Sequence, residues 1–228
     1  MPVPNPVRLF HITAIANLPA ICAAGALLSK NAGAVAGIDY QNIAHQGAQG
    51  ARAGRAVPNP PGGVVHDYVP FYFAPRSPML GAIEQGRVAN CTWRQRDIVH
   101  LETTVDRVVA GNVPFVFYDR NATLAFAQAF TDLARLDAVA WDLLTEAPTL
   151  DGFCKYWQNR LSVQRHADRM ERRQAEFLVH GRVPLDRLVR IGVMDENCAA
   201  AVRTRLADGG VNLPVEVKPD WYFLGQWT

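Results

Sequence analysis

The chain predicts an α+β fold, and three observations lead there. Short runs rich in β-branched and aromatic residues are interspersed irregularly with helical patterns, so no strand-helix-strand repeat builds a doubly wound parallel sheet. No G-x-G-x-x-G and no Walker-type Lys occurs, which removes the common phosphate-cradling loops. A length of 228 residues with 49% hydrophobic content suffices for one compact domain over residues 1–228, and neither an internal repeat nor a linker divides it.

Residues 7–13, Val-Arg-Leu-Phe-His-Ile-Thr, read as a first strand. A helix over 17–24 follows, with Asn17 as N-cap, Pro19 in the first turn and Gly25 at its end. From Ser29 to Gly63 no period of 3.6 or 2 persists. That stretch predicts a long functional loop closing on Pro58-Asn-Pro-Pro-Gly-Gly63. Val69 to Ala74 is an aromatic strand, which Pro75 and Pro78 turn into a helix beginning near Pro78. Alternation puts Tyr68, Pro70 and Tyr72 on one face and Val69, Phe71 and Phe73 on the other. Strands are predicted at 98–103 and 114–118, with a short helix over 105–110 between them. Past Asn121 as a cap, Leu124, Ala127, Leu133, Leu136 and Val139 are spaced for an amphipathic helix over 124–144. An Arg-rich helix or loop over 157–170 leads to a strand over 172–179. A strand at 188–194, a helix at 197–208 and a strand at 213–217 follow.

The net charge of +2 is too small to announce a nucleic-acid binder, although 20 of the 23 basic residues are Arg. From Lys155 to Arg190 nine basic residues stand against four acidic ones, a segment that suits either a phosphate track or a solvated face. Cys22, Cys91, Cys154 and Cys198 are too scattered for a disulfide framework or a zinc site. No apolar run reaches the roughly 18–20 residues of a membrane span. The opening Met-Pro-Val-Pro-Asn-Pro lacks a charged and then apolar leader. A cytoplasmic protein without metal or membrane association is expected.

The stretch Arg172-Arg-Gln-Ala-Glu-Phe-Leu-Val179 is the centre of the chemical reading. On a strand, Gln174 and Glu176 share one face while Ala175 and Phe177 take the other. A Gln-x-Glu pair on a rigid strand recurs where NAD is split at its nicotinamide-ribose bond, the carboxylate gripping the ribose and favouring the cationic sugar. A surface Glu on an edge strand is the competing reading of the same three residues. His11, near a strand end, is by itself more often a satisfied core residue, yet its imidazole suits a ribose hydroxyl or an amide. Arg52 and Arg55 are the only charged side chains of the early loop after Asp39, and either suits a diphosphate. Aromatic strands are mostly core, so stacking by Tyr72 needs further support.

Three separated elements line up: His11-Ile-Thr13, Tyr72-Phe-Ala74 and Glu176. Their order resembles the His, Tyr, Glu arrangement of diphtheria-toxin-like and poly-ADP-ribose-polymerase-like ADP-ribosyltransferases. More closely, the chain resembles the DarT family of DNA ADP-ribosyltransferase toxins. The likeness runs through Phe10-His-Ile-Thr13, Asn17-Leu-Pro19, Pro60-Pro-Gly-Gly63, the fifteen-residue block from His66 to Leu80, Pro114-Phe-Val-Phe-Tyr-Asp-Arg120, Arg173-Gln-Ala-Glu-Phe-Leu-Val179 and Pro219-Asp-Trp-Tyr222.

That resemblance implies the ADP-ribosyltransferase fold, a split mixed β-sheet core flanked by helices, with a flexible NAD- and DNA-binding loop around 30–62. It implies NAD as substrate, no metal, Glu176 as catalytic carboxylate, His11, Thr13 and Asn17 toward the nicotinamide-ribose end, and Tyr72 as the stacking ring. The family shows two adjacent arginines before the Pro-Pro-Gly-Gly turn, whereas this chain has Ala51-Arg52. Arg52 is the choice for the arginine that assists cofactor and target, with Arg55 as alternative. Arg55, Arg76, Gln174, Arg165 and Arg169 are the candidates for contacts to single-stranded DNA. The implied partners are single-stranded DNA and a macrodomain antitoxin that reverses the modification, and a monomeric toxin is expected. The expected function is transfer of ADP-ribose from NAD to a base in a short single-stranded DNA motif, thymine ahead of guanine. A catalytically silent nucleic-acid-binding module and a protein- or RNA-directed transferase are the alternatives.

Overall fold

A computed structural model describes residues 2–38, 40–41, 43, 46–146 and 157–223. In chain order it contains β1 (Arg8–Ala14), α1 (Leu18–Ala24), β2 (Ala26–Leu28), α2 (Lys30–Val35), α3 (Gln46–Gly54), β3 (Tyr68–Tyr72), α4 (Pro78–Glu84), β4 (Ile98–Thr104), α5 (Val105–Val109), β5 (Phe115–Tyr118) and β6 (Ala129–Phe130). There follow α6 (Trp141–Leu144), α7 (Arg169–Arg172), β7 (Glu176–His180), β8 (Arg182–Pro184), β9 (Arg190–Val193), α8 (Glu196–Asp208) and β10 (Val215–Val217).

Among the described residues eight strands form one sheet in the order β10-β9-β4-β1-β3-β7-β5-β6, and β2 pairs with β8 separately. Only β9 and β10 run parallel in it, so the sheet is mixed. The pairing is uneven. β1 keeps register with β4 over seven residues and β3 with β7 over five, but β1 and β3 meet only at Phe10↔Tyr72. The sheet is therefore split between its two halves.

Strand alternation sends Leu9, Val69, Phe71, Phe117, Phe177, Val179 and Ile191 into one continuous core, closed by α1 and α8 through Leu18, Ile21, Ala199, Val202 and Leu206. The opposite face is not continuous. Phe10, Ile12 and Ala14 pack with Leu80, Ile83 and Trp221, while Tyr68, Val116, Tyr118 and Leu178 form a second cluster with Val57 and Ala122. The break between these clusters coincides with the split in the sheet.

Three expectations need correction. The stretch 29–63 is not irregular throughout: Ser29 accepts a hydrogen bond from the Ala32 amide and caps α2, and α3 follows. The 124–144 helix does not form. Asn121 Oδ1 accepts from the Thr123 amide, Asp119 from Gln128 and Asp132 from Ala134, so side chains capture the backbone donors a helix needs. Phe130 meanwhile stacks on Phe117 across the β5–β6 pair, and what helix remains is a 3-10 turn over Leu133–Ala138 and α6. Finally, β7 begins at Glu176, so Gln174 lies in the turn after α7 and not on the strand. Cys22, Cys91 and Cys198 are free thiols, and Cys154 and Lys155 lie outside the described residues.

Candidate active site

A cavity of about 680 Å³ opens where β1 and β3 part. His11, Thr13, Asn17, Arg52, Tyr72, Gln174 and Glu176 all line it, so the structure brings seven of the predicted site residues to one place. Lys30, Arg52 and Arg87 are the cations on its wall and Glu176 the only carboxylate, among the described residues. The cavity is of ordinary size for a small-molecule site, and its positive balance suits a dinucleotide diphosphate.

Glu176 is 2% exposed and stands at the start of β7, paired on one side with Tyr72 and on the other with Tyr118. Both of its carboxylate oxygens are held. Arg52 Nη1 donates to Oε2 at 2.7 Å, and the Ala122 amide donates to Oε1 at 3.1 Å. Arg52 lies in the last turn of α3, where a cation also complements the helix dipole. Burial works against the Arg52 charge, but the proximity and hydrogen bond of Glu176 more than offset it and raise its pKa.

Tyr72 is half-buried, and burial together with the Glu176 charge keeps its phenol protonated well above the usual range. Its hydroxyl reaches Met79 Sδ at 3.8 Å. His11 Nδ1 lies 2.8 Å from the Pro70 carbonyl, which fixes the tautomer with the proton on Nδ1. Burial lowers its pKa, so the imidazole is neutral with Nε2 left as acceptor. Asn17 occupies the N-cap position but its side chain does not cap. It donates instead to Thr13 Oγ1 and to the Gln41 carbonyl, both at 3.0 Å, and accepts from the Gln41 amide at 2.7 Å. It thereby pins the Gln41 backbone against the end of β1.

The residues expected to track DNA fare differently. Gln174 lines the cavity, with Oε1 accepting from Asn121 at 2.9 Å and Nε2 donating to the Met170 carbonyl. Arg55, Arg76, Arg165 and Arg169 do not line it. Arg55 donates to the Ala122 and Leu124 carbonyls. Arg76 lies 5.9 Å from the Trp157 ring, and burial lowers its pKa. Arg165 pairs with Asp142 at 2.9 Å. Arg169 is 2% exposed, and its guanidinium faces the Gln158 carbonyl and Glu146. With Arg172 paired to Asp168 as well, the described part of the basic segment is largely compensated within the protein.

Sequence reasoning missed the loop after β5. Ala122 supplies a donor to Glu176, and Asn121 and Thr123 line the cavity. The Asp, Asn and Thr of Asp119-Arg-Asn-Ala-Thr123 are the turn signal that marked it, overridden by the apolar spacing that follows. It also missed Lys30, the only lysine before Lys155, which donates to Gln49 across the cavity wall. His66 was missed too. Its Nε2 is buried with no partner among the described residues, and burial first, then Lys30 and Arg52, keep the ring neutral.

The family described as ssDNA thymidine ADP-ribosyltransferase, DarT, matches residues 10–223. A DNA ADP-ribosyl transferase of Thermus aquaticus is 36% identical over 222 residues, covering 96% of this chain and 90% of that protein. One from Escherichia coli is 34% identical over 188 residues, covering 81% and 80%. Among solved structures, Thermus sp. 2.9 DarT in complex with ADP-ribosylated ssDNA superposes with a TM-score of 0.84 at 33% identity, over 98% of this chain and 99% of that one. The same protein in complex with NAD+ gives 0.81 at 32% identity, over 97% and 100%.

Proposed function

The chain belongs to the DarT family of ssDNA thymidine ADP-ribosyltransferases, and we propose on that premise that Glu176, Arg52, His11 and Tyr72 carry the transfer of ADP-ribose from NAD to a thymidine in single-stranded DNA. The observation behind this assignment is a buried carboxylate with both oxygens held, in the same cavity as an imidazole and a phenol from two other strands.

NAD supplies the ADP-ribose and a nicotinamide leaving group. As the bond from the ribose to nicotinamide breaks, the sugar gains oxocarbenium-like charge. Glu176, fixed and shielded from water, stabilises that charge without reorganising. A ring nitrogen of the base then bonds to the same sugar carbon and loses its proton to Glu176 as general base. Arg52 holds Glu176 in place through its hydrogen bond to Oε2, and its unused N–H donors serve phosphate or base. Tyr72 stacks on nicotinamide, and neutral His11, with Thr13, orients the ribose end. Lys30 holds the diphosphate. A base already outside a duplex needs no extraction from a stack, which suits a single-stranded substrate.

The chain acts on this reading as one ADP-ribosyltransferase domain, with the segment around 30–62 serving both NAD and DNA. It is a monomeric cytoplasmic toxin whose mark a macrodomain antitoxin removes. Among the described residues no helix is long and apolar enough to cross a membrane. The test incubates purified protein with NAD and a library of single-stranded oligonucleotides and maps the products by mass. Oligonucleotides heavier by one ADP-ribose on a thymidine, and loss of the product with Glu176→Ala, are expected. Transfer only to protein or RNA overturns the substrate, and a fully active Glu176→Ala overturns the site.

A further inference from the structure

Arg55 lies three residues beyond Arg52 but outside the cavity, and its guanidinium is engaged inside the protein. Nε donates to the Ala122 carbonyl at 3.0 Å and Nη2 to the Leu124 carbonyl at 3.2 Å. Its own backbone is anchored, since the Arg55 carbonyl accepts from Val65, Ala56 bridges to Val64, and the Val57 amide donates to Gly63. Ala122 is fully buried, and it is the residue whose amide donates to Glu176 Oε1.

We propose that Arg55 is a positioning residue that sets the second oxygen of the catalytic carboxylate through the loop after β5. One chain segment then holds both oxygens of Glu176: Oε2 directly through Arg52, and Oε1 at one remove, through the two carbonyls Arg55 grips on either side of Thr123. The base of that loop is closed independently, by Asp119 accepting from the Gln128 amide and by Leu124 and Ala127 turning back on Asn121 and Leu124. Losing Arg55 therefore shifts the interior of the loop without opening it. A guanidinium can serve two carbonyls at once from a fixed fork, whereas an ammonium at the end of a flexible stem satisfies them less well. This role rests on Glu176 being the catalytic carboxylate.

The experiment compares Arg55→Ala, Arg55→Lys and Glu176→Gln, singly and Arg55→Ala combined with Glu176→Gln, by kcat, KM for NAD and affinity for a substrate oligonucleotide at several salt concentrations. Small misplacements of a reacting group cost roughly 10²-fold in rate, so Arg55→Ala should lower kcat by about that order. KM and oligonucleotide affinity should stay within about twofold. Arg55→Lys should recover part of the loss. On top of Glu176→Gln, Arg55→Ala should cost little more, because residues acting as a unit are not additive. An unchanged kcat refutes the role, as does full additivity in the double variant. Weaker oligonucleotide binding with a shallower salt dependence makes Arg55 a phosphate contact instead. If Glu176→Gln keeps wild-type activity, the underlying site fails. If it is impaired while Arg55→Ala is fully active, only this inference does.

Discussion

Replacing Glu176 by Gln keeps the size of the side chain and removes its charge. Two unit charges about 4 Å apart interact by about 4 kcal/mol at an effective permittivity of about 20, the range suited to protein sites. Full loss of that term from a transition state would slow the reaction about 10³-fold. Two features of the site lower the figure. The sugar carries only part of a unit charge, and the Arg52 cation, 2.7 Å from Oε2, cancels part of the carboxylate field. A fall in kcat of about 10²- to 10³-fold is therefore expected. The amide cannot satisfy both neighbours, because Arg52 and the Ala122 amide are both donors and Gln offers one acceptor. A mispaired donor costs about 1–3 kcal/mol, which should show as a lower melting temperature. NAD affinity, followed by calorimetry, should change only a few-fold. If the variant transfers ADP-ribose at more than about a tenth of the wild-type rate, charge at this position is not what drives bond cleavage.

Three further outcomes are expected. Lys30→Ala should raise KM for NAD by about tenfold, as expected for loss of one phosphate contact of about 1.4 kcal/mol, with kcat nearly unchanged; an unaltered KM would remove Lys30 from the diphosphate. His100 is fully buried among Phe10, Trp221 and Tyr222, and burial pulls its pKa from 6.5 to about 4 against the opposing hydrogen bond to the Pro75 carbonyl. The unfolded chain takes up that proton first, so stability held above about pH 6.5 is lost as the pH falls toward 4, by about 2 kcal/mol between pH 7.5 and 5. Urea titrations of His100→Gln, which keeps a donor for Pro75, should lack this share of the pH dependence; parallel curves for both proteins would contradict it. Gly192→Ala puts a methyl group into the Trp221 ring, which is 4% exposed and hemmed in by Phe10 and His100. Overpacking of this kind costs about 1–3 kcal/mol, so calorimetry should find a melting point lower by about 3–10 °C.

The strands were legible because Phe10, Phe71, Phe117 and Phe177 are the residues a half-buried pleated backbone favours, and the structure puts them on β1, β3, β5 and β7. What escaped was of two kinds. α2 and α3, Lys-Asn-Ala-Gly-Ala-Val and Gln-Gly-Ala-Gln-Gly-Ala-Arg-Ala-Gly, carry almost no apolar stripe, so periodicity had nothing to detect. Their stability comes from the Ser29 cap, from Lys30 reaching Gln49 and from Arg52 reaching Glu176, contacts between residues 3, 19 and 124 positions apart that a local pattern does not record. The opposite error occurred at 124–144, where spacing fitted a helix but Asp119, Asn121 and Asp132 drew the backbone into turns. For the site, His11, Tyr72, Glu176 and Arg52 were readable as residue types that resemble a known constellation. The Ala122 amide was not, since a backbone donor leaves no mark on the sequence.

The split in the sheet is also what makes room for the chemistry, and Pro70 is central to it. Neighbouring strands lie about 4.8 Å apart, so an intact β1-β3-β7 ladder would leave no opening between β1 and β3 for a ligand. A ladder that simply stopped would leave β3 with unpaired donors and acceptors, each costly away from water. In an antiparallel strand the N–H and C=O of one residue face the same neighbour. The Pro70 carbonyl faces β1, where it meets the His11 imidazole, and on that same side proline has no N–H to satisfy. The side chain of His11 thus replaces a ladder bond, and the missing amide hydrogen removes the need for another. The contact between His11 and Pro70 lets the sheet open while fixing the tautomer of the imidazole that lines the opening.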